Sequence, residues 1–269
     1  MATESILIIK NVTMQFGGVR AVHNVDIDLK SGEMLGLIGP NGAGKTTIFN
    51  LITGSIQPTE GDILFKGKTI RGKRVDEICH LGISRTFQNI RLFQKMSVFE
   101  NVALGLHSKP HYSLAEAFIR TPHAAKAENE LKERAYELLK MVNLQNEANK
   151  PAGILPYGLQ RRLEIARAMA TNPDLLLLDE PAAGMNEDEC NELVKMVRNI
   201  HEQMHYSIIL IEHHMNVVMD LCRDANIVVL NLGEVLAVGT PEKIQNDPKV
   251  IQAYLGSKRG QNDRYATPA

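Results

Sequence analysis

The sequence predicts an α/β fold: a mainly parallel sheet flanked by helices, with a small antiparallel β layer and an inserted helical lobe. Three observations predict it. Met34–Ile38, Leu175–Leu178 and Ile208–Ile211 are short apolar runs, the length of strands buried on both faces. Stretches of helical pattern follow them, at Lys45–Ile52, Asp188–Gln203 and His214–Cys222. Residues 5 to 30, by contrast, alternate apolar and polar with the period of half-buried antiparallel strands.

In chain order, Ile6, Ile8, Val22, Val25, Ile27 and Leu29 mark two strands with Gly17-Gly18 as the turn between them. Gly61–Lys68 is a second hairpin, turning near Gly67. Arg74–His80 reads as a short helix and Gly82–Phe87 as a strand ending at Gln88. Ser97-Val98-Phe99-Glu100 has the capping-box pattern, so a helix starts at Ser97. From His107 to His123 the composition turns to His, Ser and Pro, a loop with at most a short helix. Ala124–Val142 is charged, with Leu131, Ala135, Leu138 and Val142 spaced along one helical face. Residues 89–158 thus form the inserted helical lobe. The α/β pattern then returns, with a helix at Leu159–Ala170, the Leu175 strand, the Ser207–Ile211 strand and a strand pair around Gly233. Thr240-Pro241-Glu242 opens a last helix, with Pro at its first position. Residues 1–256 make one domain and 257–269 a polar tail.

Composition limits the function classes. The chain has 269 residues, 44% hydrophobic and 23% charged, enough for a full core. A formal net charge of −1 supplies no basic field for nucleic acid or an anionic membrane surface, so no nucleic-acid partner is expected. Cys79, Cys190 and Cys222 are far apart and not in metal-ligand spacing, which suits a reducing cytoplasm. Met1–Lys10 lacks the pattern of a signal peptide, and the apolar runs fall far short of the roughly 20 residues of a spanning helix. The expectation is a soluble chain that reaches a membrane only through a partner.

The residues that carry chemistry begin with Gly39-Pro40-Asn41-Gly42-Ala43-Gly44-Lys45-Thr46-Thr47. It reads G-x-x-x-x-G-K-[ST] between a buried strand and a helix, the P-loop context. Gly39, Gly42 and Gly44 let the backbone wrap a phosphate with its N–H groups inward, and Asn41, Ala43 and Thr47 complete the loop. The helix N-terminus adds partial positive charge. Lys45 would bridge the β- and γ-phosphates of a nucleoside triphosphate, and the Thr46 hydroxyl would sit on Mg²⁺. Leu175–Leu178 delivers Asp179 and Glu180 at a strand's C-terminal end, where ligands of open α/β sheets gather. Asp179 would hold the metal, and Glu180 is placed to act as general base on the attacking water. Gln88 could reach both metal and water, and His213 could donate to the γ-phosphate. Phe16 has two readings, stacking on adenine or packing in the core. Arg161 and Arg162 read as a solvated helix face.

The order of these pieces resembles the ATP-binding-cassette ATPases from about Leu7 to Leu255: P-loop, glutamine loop, the Leu155-Pro156-Tyr157-Gly158 segment, the Asp179-Glu180 strand and the histidine after a strand. Arg85-Thr86-Phe87-Gln88-Asn89-Ile90-Arg91-Leu92-Phe93, the run from Leu155 to Ala168, and Pro181-Ala182-Ala183-Gly184-Met185-Asn186 look like one branch of that family. Ile211-Glu212-His213 and the stretch from Gly239 to Gly256 fit the same branch, the LivG-type ATPase of branched-chain amino acid importers.

The resemblance implies an ATP sandwich in which each nucleotide lies between one subunit's P-loop and the other's signature segment. Pro156, Tyr157 and Gly158 would be this chain's contribution to the opposite nucleotide. Pro156 stands in place of a serine and brings neither hydroxyl nor N–H, and Leu159 stands in place of a glutamine. Asn186 replaces an aspartate, and His214 an acid, so the switch role falls to His213. The implied partners are a second cassette (a second copy or a LivF-type chain), two membrane permeases met around Asn89–Val98, and a substrate-binding protein. The implied location is peripheral, on the cytoplasmic face of the inner membrane. Lipopolysaccharide export, urea or amide uptake, and a soluble cassette working on nucleic acid or the ribosome are the alternatives.

Overall fold

A computed structural model describes residues 4–106 and 122–254. The chain divides into two compact units: the described parts of Met1–Val75 and Ser207–Ala269 form the first, and that of Asp76–Tyr206 the second.

The first unit opens with the antiparallel pair β1 (Ser5–Phe16) and β2 (Val19–Lys30), which turns at Gly17-Gly18 as the alternation predicts. After β3 (Met34–Ile38) and α1 (Lys45–Ile52) comes the hairpin of β4 (Glu60–Phe65) and β5 (Lys68–Thr69). The strands β2-β1-β4-β5 form one antiparallel sheet in that order. Its register sets Leu7 beside Leu29 and Phe65, and Ile9 beside Ile27 and Ile63. All six are buried, so the period-2 pattern has produced one apolar face. In α1, Ile48, Phe49 and Ile52 are fully buried, each contributing roughly 1.5–3 kcal/mol of transfer free energy, and they anchor the helix that the P-loop enters.

The chain enters the second unit within α2 (Val75–Leu81) and runs through β6 (Ile83–Arg85), α3 (Val98–Leu106), α4 (Pro122–Met141) and α5 (Tyr157–Ala170). There β7 (Leu175–Asp179) lies parallel to β6, with Ile83 opposite Leu175 and Arg85 opposite Leu177. A last helix, α6 (Glu187–Met204), completes the unit. The expected capping box is formed: Ser97 Oγ accepts from Glu100 N–H at 3.1 Å, and Glu100 Oε2 accepts from Ser97 N–H at 2.7 Å. Ala135 and Leu138 of the expected stripe are buried in α4, and so is Val142 just past its end. Asn101, fully buried in α3, accepts from Phe93 N–H at 2.9 Å and donates to Phe93 O at 3.1 Å and Ser97 O at 3.0 Å, which fixes the loop before that helix.

The first unit resumes with β8 (Ser207–Ile211), α7 (Met215–Leu221), β9 (Asn226–Asn231), β10 (Glu234–Gly239) and α8 (Pro241–Gln245), followed by a helical turn over 248–254. Its second sheet has the order β10-β9-β3-β8, with β3 parallel to both neighbours. Every residue of β3 and β8 is buried, as strands covered on both faces require.

Several element ends differ from the sequence reading by a residue or two, and three of the differences have a local cause. Helix α5 starts at Tyr157 and not at Leu159, because glycine costs little in a first turn and Pro156 loses no bond at the N-cap. Strand β6 stops at Arg85, because the backbone groups of Phe87, Gln88 and Arg91 bond to side chains of α5 and not to a strand. Pro122 and His123, read as loop, belong to α4, with Pro at its first position. The rest of the His107–His123 segment, and the tail from 257, lie outside the described residues.

Candidate active site

In the first unit, the loop from Gly39 to Gly44 joins the end of β3 to α1. Gly39 has φ +151° and Gly44 φ +104°. A Cβ at Gly39 would stand 2.1 Å from Leu230 O, and one at Gly44 2.6 Å from Ala21 O. Only glycine satisfies both the dihedral and the close approach. The turn between β9 and β10 holds the loop from behind: Gly233 N–H donates to Ala43 O at 3.1 Å, and His23 N–H to Gly233 O at 2.8 Å. Buried Lys45 donates through Nζ to Gly39 O at 2.7 Å and Pro40 O at 3.0 Å, so its ammonium is held over the loop it follows.

Phe16 ends β1 and is 49% exposed, which excludes the core reading in this chain. His213 follows β8 and is exposed. The neighbouring Glu212 is buried, and its Oε2 accepts from the N–H groups of His213 at 2.9 Å and His214 at 3.2 Å. The ring it faces is that of His214, at 3.2 Å. Glu212 therefore fixes the turn that presents His213.

The second unit assembles the carboxylates. Asp179 ends β7 with its N–H donating to Thr86 Oγ1 at 3.2 Å. Its Oδ2 accepts from Arg85 Nη2 at 2.6 Å, with side-chain exposures of only 3% and 8%. Burial pushes the Asp179 carboxyl above the ordinary carboxylate value, and the Arg85 guanidinium opposes that rise. Glu180 takes φ +47°, a left-handed conformation that costs a branched or long side chain about 1–2 kcal/mol. In that conformation its Oε2 accepts from Gln88 Nε2 at 2.9 Å. The sequence places these two residues 92 positions apart, and the fold puts one against the other.

At the start of α5, Pro156 is the N-cap and Tyr157 is 45% exposed, its hydroxyl accepting from Arg161 Nη2 at 3.1 Å. A Cβ at Gly158 would come within 3.2 Å of Glu189 Oε1, so the helix start lies close against α6. Asn186 caps α6: its Oδ1 accepts from Glu189 N–H at 3.0 Å, and Glu189 returns a bond to Asn186 N–H at 3.0 Å. The Asn186 amide oxygen thus satisfies one of the free N–H groups at the helix start. Arg161 corrects the sequence reading. It is fully buried, not part of a solvated face, whereas Arg162 pairs with Glu192.

Comparison with known proteins decides the family. The family description "ABC transporter" matches residues 22–183. This chain belongs to the ABC transporter family, as its ATP-binding cassette. The cassette is the ATPase subunit of its transporter. A second description, "Branched-chain amino acid ATP-binding cassette transporter", matches residues 234–259. The high-affinity branched-chain amino acid transport ATP-binding protein LivG of Escherichia coli K12 is 44% identical over 254 residues, which is 94% of this cassette and 99% of that protein. The crystal structure of the ADP conformation of MJ1267, an ATP-binding cassette of an ABC transporter, superposes with a TM-score of 0.81 at 31% identity, covering 94% of this chain and 100% of that one. A dimeric post-hydrolysis state of the cassette MJ0796 bound to ADP and Pi gives a TM-score of 0.73 at 28% identity, covering 87% and 98%. Among the described residues of the cassette, no helix is long and apolar enough to cross a membrane.

Sequence reasoning missed Arg85, Asn101, Arg161, Glu164 and Glu212, each of which holds a predicted residue or its loop in place. The only signal for Arg161 and Glu164 lay in their surroundings. Leu163, Ile165, Ala166, Ala168 and Met169 place apolar side chains on several sides of α5, which leaves little solvated face for the charges between them.

Proposed function

We propose that the cassette powers a membrane importer for branched-chain, hydrophobic amino acids. The observation that carries this reading is the 44% identity to LivG across 94% of the chain, and the C-terminal family match at 234–259 supports it. ATP phosphates would rest on the backbone amides of residues 39–44 and on Lys45, with adenine stacked on the exposed Phe16. Glu180 is the base that orients and deprotonates the attacking water, and His213 donates to the γ-phosphate.

The donor chemistry fits Mg²⁺. Thr46 offers a hydroxyl. Gln88 engages Glu180 through its amide nitrogen, which leaves its carbonyl oxygen as the coordinating end, and Asp179 meets Arg85 through one carboxylate oxygen. These are the hard oxygen ligands magnesium prefers. When bound, the ion neutralises charge on the β- and γ-phosphate oxygens. The rest of catalysis belongs to fixed dipoles and charges: the loop amides, Lys45, and Glu180 steadied by Gln88.

Pro156, Tyr157 and Gly158 would meet the nucleotide of a second cassette, a further copy or a LivF-type chain. With no serine hydroxyl at 156, that contact relies on the backbone amides and positive end of the 14-residue α5. Two membrane permeases, and through them a substrate-binding protein, complete the machine, with the cassette peripheral on the cytoplasmic face of the inner membrane. Affinity purification from gently solubilised native membranes, with mass spectrometry of the partners, tests this. Multi-span permeases and a second cassette are expected, together with loss of labelled leucine uptake when the gene is disrupted. Recovery with ribosomal or nucleic-acid partners alone would overturn the transport reading.

A further inference from the structure

After Thr86, whose N–H still donates to Leu177 O at 2.9 Å, the glutamine loop leaves the strand and its backbone polar groups need partners from elsewhere. Two side chains of α5 supply them. Arg161 Nη1 donates to Phe87 O at 2.6 Å and to Glu164 Oε2 at 2.7 Å. Arg161 Nη2 donates to Gln88 O at 2.7 Å and to the Tyr157 hydroxyl at 3.1 Å. Glu164 Oε1 accepts from the N–H groups of Phe87 and Arg91, both at 3.3 Å. The two side chains are 0% and 2% exposed.

Such a pair is a poor device for stability. Desolvation of two buried ions offsets most of their attraction, and apolar residues of the same volume would serve a core as well or better. Burial indeed pushes the Glu164 carboxyl up, against the pull of Arg161 and the two amides. What the pair supplies is geometry. A planar guanidinium reaches two successive carbonyls, a carboxylate and a phenol at once, which an apolar side chain or a lysine does not. Tyr157 and Arg161 are four positions apart, about one helical turn, so the same group that grips Gln88 also grips the first residue of α5.

We propose that Arg161 and Glu164 are positioning residues that lock the Gln88 loop and the first turn of α5 into one rigid body. Gln88, hydrogen-bonded to Glu180, then takes its position from the segment Pro156–Gly158, and displacement of one carries the other. Whatever engages that segment thereby sets the placement of the base. The catalytic consequence rests on the reading of Pro156–Gly158 as a nucleotide contact; the mechanical lock does not.

The test compares the full-length wild type with R161M/E164L, which removes both charges together, and with R161K, which keeps the charge and loses the fork. Hydrogen exchange of the peptide over 86–92 in nucleotide-free protein reads the lock. Titration with a fluorescent ATP analogue and steady-state kinetics read its use. We expect at least tenfold faster exchange at Phe87 and Arg91 in R161M/E164L, nucleotide Kd within about twofold of wild type, and kcat lowered about tenfold or more. R161K should lose turnover as well, since charge alone does not restore the fork. Unchanged exchange at 86–92, or full turnover in R161K, overturns the proposal. Should R161M/E164L fail to fold, R161K decides by the same two readouts. The nucleotide-contact reading is judged separately, by whether a nonhydrolysable ATP analogue protects the peptide over 157–163 in wild type. Faster exchange at 86–92 without that protection would keep the lock and reject the contact.

Discussion

Arg85→Met isolates how the second unit holds the buried carboxylate of Asp179. The arginine and Asp179 are almost wholly buried, and their charges meet at 2.6 Å. Removing one partner of a buried pair leaves the other charge unsolvated and uncompensated, at a cost of about 3–5 kcal/mol. Methionine fills much of the arginine's volume, so little of that cost comes from a cavity. Asp179→Asn in the Arg85→Met background removes the stranded charge, and the double variant should recover to within about 1–2 kcal/mol of wild type. For a chain of this size, each kcal/mol moves the melting midpoint by about 2–4 °C, so the single variant should melt about 6–20 °C low. Thermal melts of the nucleotide-free wild type, both singles and the double close a mutant cycle. A single variant that melts with wild type, or a double no better than Arg85→Met, would refute the claim that the pair is mutually dependent.

Two further outcomes follow from local geometry. Gly39→Ala places a Cβ 2.1 Å from Leu230 O at φ +151°, so the loop must open; ATP-analogue affinity should fall by about tenfold or more with α1 still formed by circular dichroism, and wild-type affinity would remove the steric argument. Asn186→Ala strips the cap from α6 and should cost about 1 kcal/mol in denaturant melts, while Asn186→Asp should match or exceed wild type, because a carboxylate also accepts at a helix N-terminus.

Much of the fold was legible because it rests on local pattern. The run Met34–Ile38 became a fully buried strand, the P-loop led into α1 at Lys45, and Ser97 with Glu100 capped α3 as their spacing requires. The candidate site was legible as a set of residues, since each type has a reason in phosphate chemistry. Its supports were not. Arg161 and Glu164 sit in a polar run, Gln160-Arg161-Arg162-Leu163-Glu164, that reads as solvent-facing until the backbone of Phe87–Arg91 is brought against it. Arg85 reads as an ordinary strand-end charge until β6 lies beside β7 and delivers it to Asp179. Helix α5 begins two residues before Leu159, at Tyr157, since glycine at 158 in a first turn forfeits no helical bond.

The central claim, that Glu180 is the catalytic base of an ATP-hydrolysing cassette, is tested most directly by Glu180→Gln. The amide keeps the size of the side chain and an oxygen for Gln88 to bond, but it takes no proton from water. Phosphate release should fall by about a hundredfold or more, the scale of general-base catalysis, while ATP still binds and draws two copies into a dimer seen by size-exclusion chromatography. Wild-type turnover in Glu180→Gln would contradict the assignment and move the base to another residue.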